Sequence, residues 1–250
     1  MSGQTSKPKT KDQSPKTKGQ NQKSKIKNLK PLIIAIDGPS GSGKSTLGRL
    51  LARALNLLYI DTGSMYRAVA LAVMQSKIEP AAKDAVVSLA ERSDIDLVGK
   101  PDSLRVMLNE RDITEQIRSE AVTDMSSIIS TIPGVRRAMV ARQREMGRRG
   151  AVLNGRDIGS VVLPDADVKF FLTASADERA QRRFREERAQ NHATSIARTL
   201  DEMTERDRRD STRTDSPLKV ADDAIVIDST GRSIQEVFQE MMDLVQKAVG

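Results

Sequence analysis

Apolar residues first gather at Leu32-Ile33-Ile34-Ala35-Ile36, a short continuous run. Such a run reads as a strand of a parallel sheet, buried on both faces. A glycine-rich turn follows. Leu47, Leu50, Leu51 and Leu55 then recur at helical spacing across Ser45–Leu55. Leu57–Ile60 reads as a second strand ending at Asp61, and Tyr66–Met74 as a helix. Residues 79–130 are less regular. Within them Leu104–Leu108, Asn109-Glu110 and Arg111–Ile113 predict a hairpin, hence a small β-containing insert. Pro133–Met146 reads as a basic helix. Ala151–Leu153 and Val168–Leu172 are the third and fourth strands. Ser175–Ala189 and Ser195–Asp210 read as charged helices, Ala224–Asp228 as a fifth strand, and Ser233–Val249 as a closing amphipathic helix. Strands alternating with helices predict a doubly wound, parallel, five-stranded α/β sheet with helices on both faces. No internal repeat is evident.

Residues 1–30 break this pattern. They hold nine Lys, one Asp and no Arg, and only Met1, Ile26 and Leu29 are apolar. So little apolar surface does not offset the entropy of ordering, and the segment reads as a disordered tail. It carries +8 of the chain's +7, which leaves −1 on residues 31–250. The simplest reading is a solubilising extension. A basic arm that binds polyanions weakly is the alternative, and nucleic acid is not an obligate partner.

Composition removes several classes. With no cysteine, disulfides and thiolate metal sites are impossible, which fits a reducing compartment. No run of about 18 apolar residues exists, so no membrane span is expected. The charged N-terminus lacks the apolar core of a secretory signal. The expected location is the cytoplasm. Four Phe, two Tyr and no Trp leave little for stacking on bases.

Gly38-Pro39-Ser40-Gly41-Ser42-Gly43-Lys44-Ser45-Thr46 matches G-x-x-x-x-G-K-[ST], with a strand before it and a helix after it. Converging backbone N–H groups require glycines where a Cβ would block the phosphate. Lys44 is expected at the β- and γ-phosphates of ATP, and Ser45 at the accompanying Mg²⁺. A GTPase would carry N-K-x-D, which is absent. An apolar strand ending in Asp-Glu, expected of a large ATPase, is absent too. A small-molecule kinase remains.

Three further segments follow strands or helices. These are Asp61-Thr62-Gly63-Ser64-Met65-Tyr66-Arg67, Asn154-Gly155-Arg156-Asp157-Ile158-Gly159 and Glu205-Arg206-Asp207-Arg208-Arg209-Asp210-Ser211-Thr212-Arg213. Loops after parallel strands face the ligand crevice, so their arginines suit an acceptor phosphate. Singly, each has a bland reading as a surface charge or a turn ion pair. Together they point to one site.

The combination of G-P-S-G-S-G-K-S-T, D-T-G-S-M-Y-R, N-G-R-D-I-G-S-V-V-L-P-D-A-D-V-K-F-F-L and E-R-D-R-R-D-S-T-R resembles bacterial cytidylate kinases, from about Leu32 to about Gln246. The insert before Pro133 resembles the extra subdomain on the monophosphate side of those enzymes. The resemblance implies that ATP and CMP or dCMP are the substrates, with Mg²⁺. It implies that Arg67, Arg156 and Arg213 hold the acceptor's phosphate. Arg136, Asp157 and Ser127 would lie at the cytosine base, with Ser126 or Arg137 as the one-residue alternatives. Arg206 and Asp210 would lie near the sugar. Thr62 stands where the family often has Ser and keeps the hydroxyl. The expected catalytic set is Lys44, Arg156 and Arg213.

The chemistry agrees. A carboxylate such as Asp157 accepts from the N4 amine of cytosine and repels the O4 of uracil. Transfer is expected in line, with neither a covalent intermediate nor a general base. Residues 179–188, dense in arginine, are the expected lid within an acceptor-side region of about 175–215. His192 reads as a loop residue, and the chain as a monomer. Another P-loop kinase, or a nucleic-acid-binding protein with an ATP switch, are the competing readings.

Overall fold

The computed structural model describes residues 1–3, 30–189 and 193–249. The expectations for residues 4–29 and for His192 lie outside them. Pro31–Gly250 forms one compact unit, separate from Met1–Lys30. Its centre is a parallel sheet of β1 (Ile33–Asp37), β2 (Leu58–Asp61), β6 (Ala151–Asn154), β7 (Val168–Thr173) and β8 (Ile225–Asp228). The strand order is β2-β6-β1-β7-β8, as the five apolar runs predicted in number and type.

The two-residue period of each strand separates two apolar layers. Ile34, Ile36, Tyr59 and Val152 face helices α1 (Lys44–Ala54) and α8 (Ile234–Val249), where Leu47, Leu51, Val237 and Met241 meet them. Ala35, Ile60, Ala151 and Leu153 face the other way, onto α2 (Thr62–Gln75) and α5 (Pro133–Gly147). Helix α2 is apolar on nearly every side from Met65 to Val73. Such a helix must be enclosed, and α3 (Lys83–Arg92), α4 (Glu120–Ile129) and α5 enclose it.

The irregular stretch after residue 79 contains more structure than its pattern announced. Besides α3 and α4 it holds a second, antiparallel sheet of β3 (Ile95–Val98), β4 (Arg105–Leu108) and β5 (Arg111–Asp112). The β4–β5 hairpin turns on Asn109 and Glu110, at φ +47° and +65°. Two central residues with positive φ make the tight turn that matches strand twist. Asparagine tolerates that conformation, and glutamate is strained in it.

The remaining helices are α6 (Ala176–Ala189) and α7 (Ile196–Thr212), packed on each other. Among the described residues no helix is long and apolar enough to cross a membrane.

Parallel strands bring their C-terminal ends to one rim of the sheet. The glycine-rich turn leaves β1 there, Thr62 follows β2, and Gly155-Arg156-Asp157 follows β6. One carboxylate fixes the last of these to the first. Asp37 ends β1, and its two oxygens accept the N–H groups of Ile158 and Gly159, each at 2.8 Å. Those residues open a single π-helical turn, Ile158–Val162. Burial pushes the Asp37 carboxyl up to about 6, while the two backbone donors oppose the rise.

Glu110→Gly relieves the positive-φ strain and should stabilise the protein by up to about 1 kcal/mol, less the chain entropy that glycine adds when unfolded. The midpoint of urea unfolding reads this directly; a lower midpoint contradicts it. Asp37 has a folded pKa above its unfolded value of about 3.9. Its titration therefore favours the folded state most below about pH 4, and that advantage is lost as pH rises through about 6. Asp37→Asn removes the titration. The stability of wild type minus variant should shrink by as much as about 3 kcal/mol between about pH 4 and pH 7. A difference that does not vary with pH contradicts a buried, titrating Asp37.

Candidate active site

The turn at 38–46 needs glycine for steric reasons. A Cβ on Gly38 would stand 2.0 Å from the Leu172 carbonyl oxygen, at a φ of +145°. Only glycine lets the chain pass the end of β7 so closely. Gly43, at φ 92°, is the N-cap of α1, so Lys44 and Ser45 sit in the first helical turn, where N–H groups lack intrahelical partners. The buried Lys44 Nζ donates to the Pro39 carbonyl at 2.5 Å and to Ser42 Oγ at 3.2 Å. Burial, and next the charge of Arg156, hold its pKa well below the usual lysine range. An anion placed beside this ammonium opposes both effects by favouring the charged form.

Facing the turn is a cleft of about 480 Å³. Its far wall is a chain of alternating charge. Arg136, fully buried on α5, donates through Nη2 to Asp157 Oδ2, and its guanidinium stands 5.7 Å from the Tyr66 ring centre. Arg213 Nη2 lies 3.7 Å from Asp157 Oδ1, and its Nη1 donates to Asp210 Oδ1 at 3.4 Å. Arg156 Nε donates to Asp210 Oδ2 at 2.9 Å. The order is therefore Arg136, Asp157, Arg213, Asp210, Arg156. Burial alone would raise the Asp210 pKa, but Arg156, Arg206 and Arg213 together hold it below the usual range. Burial, and then Arg156, lower Arg206 to about 10.

The guanidinium groups at 67, 156 and 213 all line this cleft, as do those at 136 and 206. Arg67 is held at the entrance to α2, donating to Ser64 Oγ at 2.8 Å and Asp61 Oδ2 at 3.3 Å. Arg136 Nε, Arg206 Nε and Arg213 Nη2 are buried with no hydrogen-bond acceptor. Buried donors without acceptors are costly, and an anionic ligand is what satisfies several at once. Thr62 Oγ1 donates to the Asn154 carbonyl at 2.8 Å, tying the ends of β2 and β6.

Ser127 does not line this cleft. Its buried Oγ lacks a partner and faces an adjoining cleft between α4 and α7, while Ser126 and Ser130 line the main one. Both clefts share Arg183 and Arg206. A helix turns about 100° per residue, so a one-residue uncertainty on α4 is enough to change which side a serine faces. On the expected lid helix, Arg182, Arg183 and Arg185 reach the main cleft. Arg179 instead donates to the Ser40 carbonyl at 2.9 Å and Asp207 Oδ2 at 2.5 Å, fastening α6 and α7 to the turn.

Three residues of the site were not singled out from sequence. Asp37 stands just past the first apolar run, which carries no signal of its role. Tyr66 was only a letter of the second motif; its buried hydroxyl has no partner, and burial pushes its pKa up to about 12. Asn154 was likewise only the first letter of N-G-R-D, yet its Nδ2 donates to Ser45 Oγ at 3.1 Å.

Among the described residues no group of three or more His, Cys, Asp or Glu is placed to hold a metal ion. Ser45 Oγ and the amide of Asn154 are neutral oxygen donors beside the turn. They fit a hard cation that arrives with its own phosphate ligands.

Comparison with known proteins fits this geometry. A family model described as cytidylate kinase matches residues 34–247. A cytidylate kinase of Caldicellulosiruptor saccharolyticus is 44% identical over 89% of this chain and 99% of its own. One of Desulforamulus reducens is 48% identical over 86% of this chain and 96% of its own. One of Bacillus pumilus is 44% identical over 87% and 97%. A solved structure of an uncharacterized protein from Eubacterium ventriosum superposes with a TM-score of 0.50, covering 87% of this chain and 99% of that one. At 13% identity it speaks to the fold alone. By the match of the family model and of these relatives along nearly all of residues 31–250, the chain belongs to the cytidylate kinase family.

Proposed function

We propose that this protein transfers the γ-phosphoryl group of ATP directly to the phosphate of CMP or dCMP, giving CDP or dCDP. The observation that carries the reading is the Arg136–Asp157–Arg213–Asp210–Arg156 chain, which faces the glycine-rich turn across one cleft. The named relatives are cytidylate kinases, and their identity spans nearly the whole folded unit.

The roles follow from charge. Lys44 and the amides of residues 38–46 hold the phosphates of ATP. Arg67, Arg156 and Arg213 hold the phosphate of the acceptor. Bidentate guanidinium groups keep their charge and fix the angle of approach. An acceptor phosphate oxygen is nucleophilic near neutral pH, so alignment and charge neutralisation supply the catalysis, and no side chain needs to remove a proton. Mg²⁺, when bound with ATP at Ser45, neutralises charge on the transferring group. Arg182, Arg183 and Arg185 on α6 are placed to cover the cleft and exclude water.

The base is read at the other end. Asp157 Oδ1 stands 3.7 Å from Arg213 Nη2, too far for a hydrogen bond, so its acceptor capacity suits the N4 amine of cytosine. Arg136, with Ser127 or its neighbour Ser126, suits N3 and O2. Arg206 and Asp210 line the same cleft, and their charged groups suit the hydroxyls of the sugar.

A coupled assay across CMP, dCMP, UMP, AMP and shikimate tests the assignment; no turnover with CMP defeats it. Arg156→Ala should lower kcat/KM for CMP by about a hundredfold or more while leaving KM for ATP nearly unchanged. Loss shared equally by both substrates would instead mean general damage. Asp157→Asn presents either an amine or a carbonyl to the base. It should narrow the CMP-to-UMP ratio of kcat/KM at least about tenfold. An unchanged ratio removes Asp157 from base recognition.

A further inference from the structure

Asn154 is the last residue of β6 and sits at the junction of donor and acceptor. Its register partners are Ile36, just before the donor turn, and Asp61, just before the helix that carries Arg67. Its main chain is spoken for, since its carbonyl accepts from Thr62. Its side chain is buried, lines the main cleft and donates through Nδ2 to Ser45 Oγ at 3.1 Å. Its Oδ1 is buried with no donor at all.

A buried acceptor oxygen without a donor is unfavourable, so its retention calls for a partner supplied from outside the chain. Phosphate oxygens do not serve, because they are acceptors too. What satisfies both Oδ1 and neighbouring phosphates is a cation, or water bound to one. In P-loop NTPases the hydroxyl of the loop Ser or Thr shares the metal with an acidic residue from elsewhere in the fold. Here the side chain bonded to the Ser45 hydroxyl is a neutral amide. Of the strand-end carboxylates here, Asp37 has both oxygens committed to Ile158 and Gly159, and Asp61 accepts from Ser64 Oγ and Arg67 Nη2.

We infer that Asn154 is a positioning residue for the Mg²⁺ that accompanies ATP, orienting Ser45 and offering the cation or its water a neutral oxygen. The inference rests on the reading of the glycine-rich turn as the ATP site. Its distinguishing consequence concerns charge. With a neutral amide rather than a carboxylate beside the Ser45 hydroxyl, the site has little affinity for Mg²⁺ by itself, and ATP without metal is not repelled. The nucleotide's own phosphates supply the charge that retains the ion.

Calorimetric titration of the full chain separates the possibilities, using ATP in EDTA, ATP at rising Mg²⁺, and Mg²⁺ alone. For wild type, Mg²⁺ alone should give no binding heat, and ATP should bind with and without metal. Asn154→Ala should leave metal-free ATP affinity within about twofold and raise the Mg²⁺ midpoint about tenfold, the usual scale for a group beside the primary ligand. Asn154→Asp, nearly the same shape, should lower the Mg²⁺ midpoint and weaken metal-free ATP binding. An unchanged midpoint in both variants overturns the inference. So does an equal loss in Asn154→Ala with and without Mg²⁺, which would mean that Oδ1 serves an arginine or Lys44 instead. Should Asn154→Ala fail to fold, the isosteric Asp variant decides alone. Wild type that binds no ATP in either condition refutes the donor-site reading, and the inference falls with it.

Discussion

Positive charges of one sign do not gather in a protein interior without compensation, and this site depends on how two aspartates provide it. Arg136, Arg156 and Arg213 are drawn together by Asp157 and Asp210, each carboxylate lying between two guanidinium groups. Burying such ions costs several kcal/mol apiece when they stand alone, and alternation of sign recovers much of it. The recovery is incomplete by construction. Arginine N–H groups outnumber carboxylate oxygens, and the excess donors at 136, 206 and 213 point to no acceptor. On the proposed reading, a dianionic phosphate and a polar base complete a network that the chain leaves short.

The backbone sets where that network stands. Parallel strands deliver their loops to one rim, and β6 lies between β1 and β2, so the acceptor loop at 155–157 is flanked by the donor turn and the start of α2. Asp37 and Thr62 make those neighbours rigid with respect to one another through three hydrogen bonds to or from the main chain. Positioning of reactants is worth more to an in-line transfer than any single contact, and it resides here in strand ends rather than in mobile loops.

Much of this was legible in the residues. Five apolar runs became five strands, and the glycine-rich turn fell between β1 and α1 because its spacing leaves few other structures. The three arginine-bearing motifs sat at strand or helix ends, and the fold collected them. Helix α3 was not legible because it is short, with a narrow apolar stripe at Val86, Leu89 and Ala90. Helix α4 hid for another reason: its buried face includes Ser126 and Ser127 beside Val122 and Ile129, so polarity does not mark its exposed side. At these serines, as at Arg136 and Arg137, the resemblance leaves a one-residue alternative. Asp37 and Asn154 escaped because their importance lies in partners more than a hundred residues away, Ile158 and Ser45. No periodicity encodes such a contact.

Among the described residues, the earliest strand is also the middle strand of the five-stranded sheet. Ile33–Asp37 pairs with Ala151–Asn154 on one side and Val168–Thr173 on the other, and neither partner exists when it leaves the ribosome. Until they are made, an apolar segment waits with both backbone edges open, the condition that invites pairing with a foreign strand. Order of synthesis and order in the sheet run against each other. The first of these strands to be translated is paired only after Ala151–Asn154 and Val168–Thr173 have followed it.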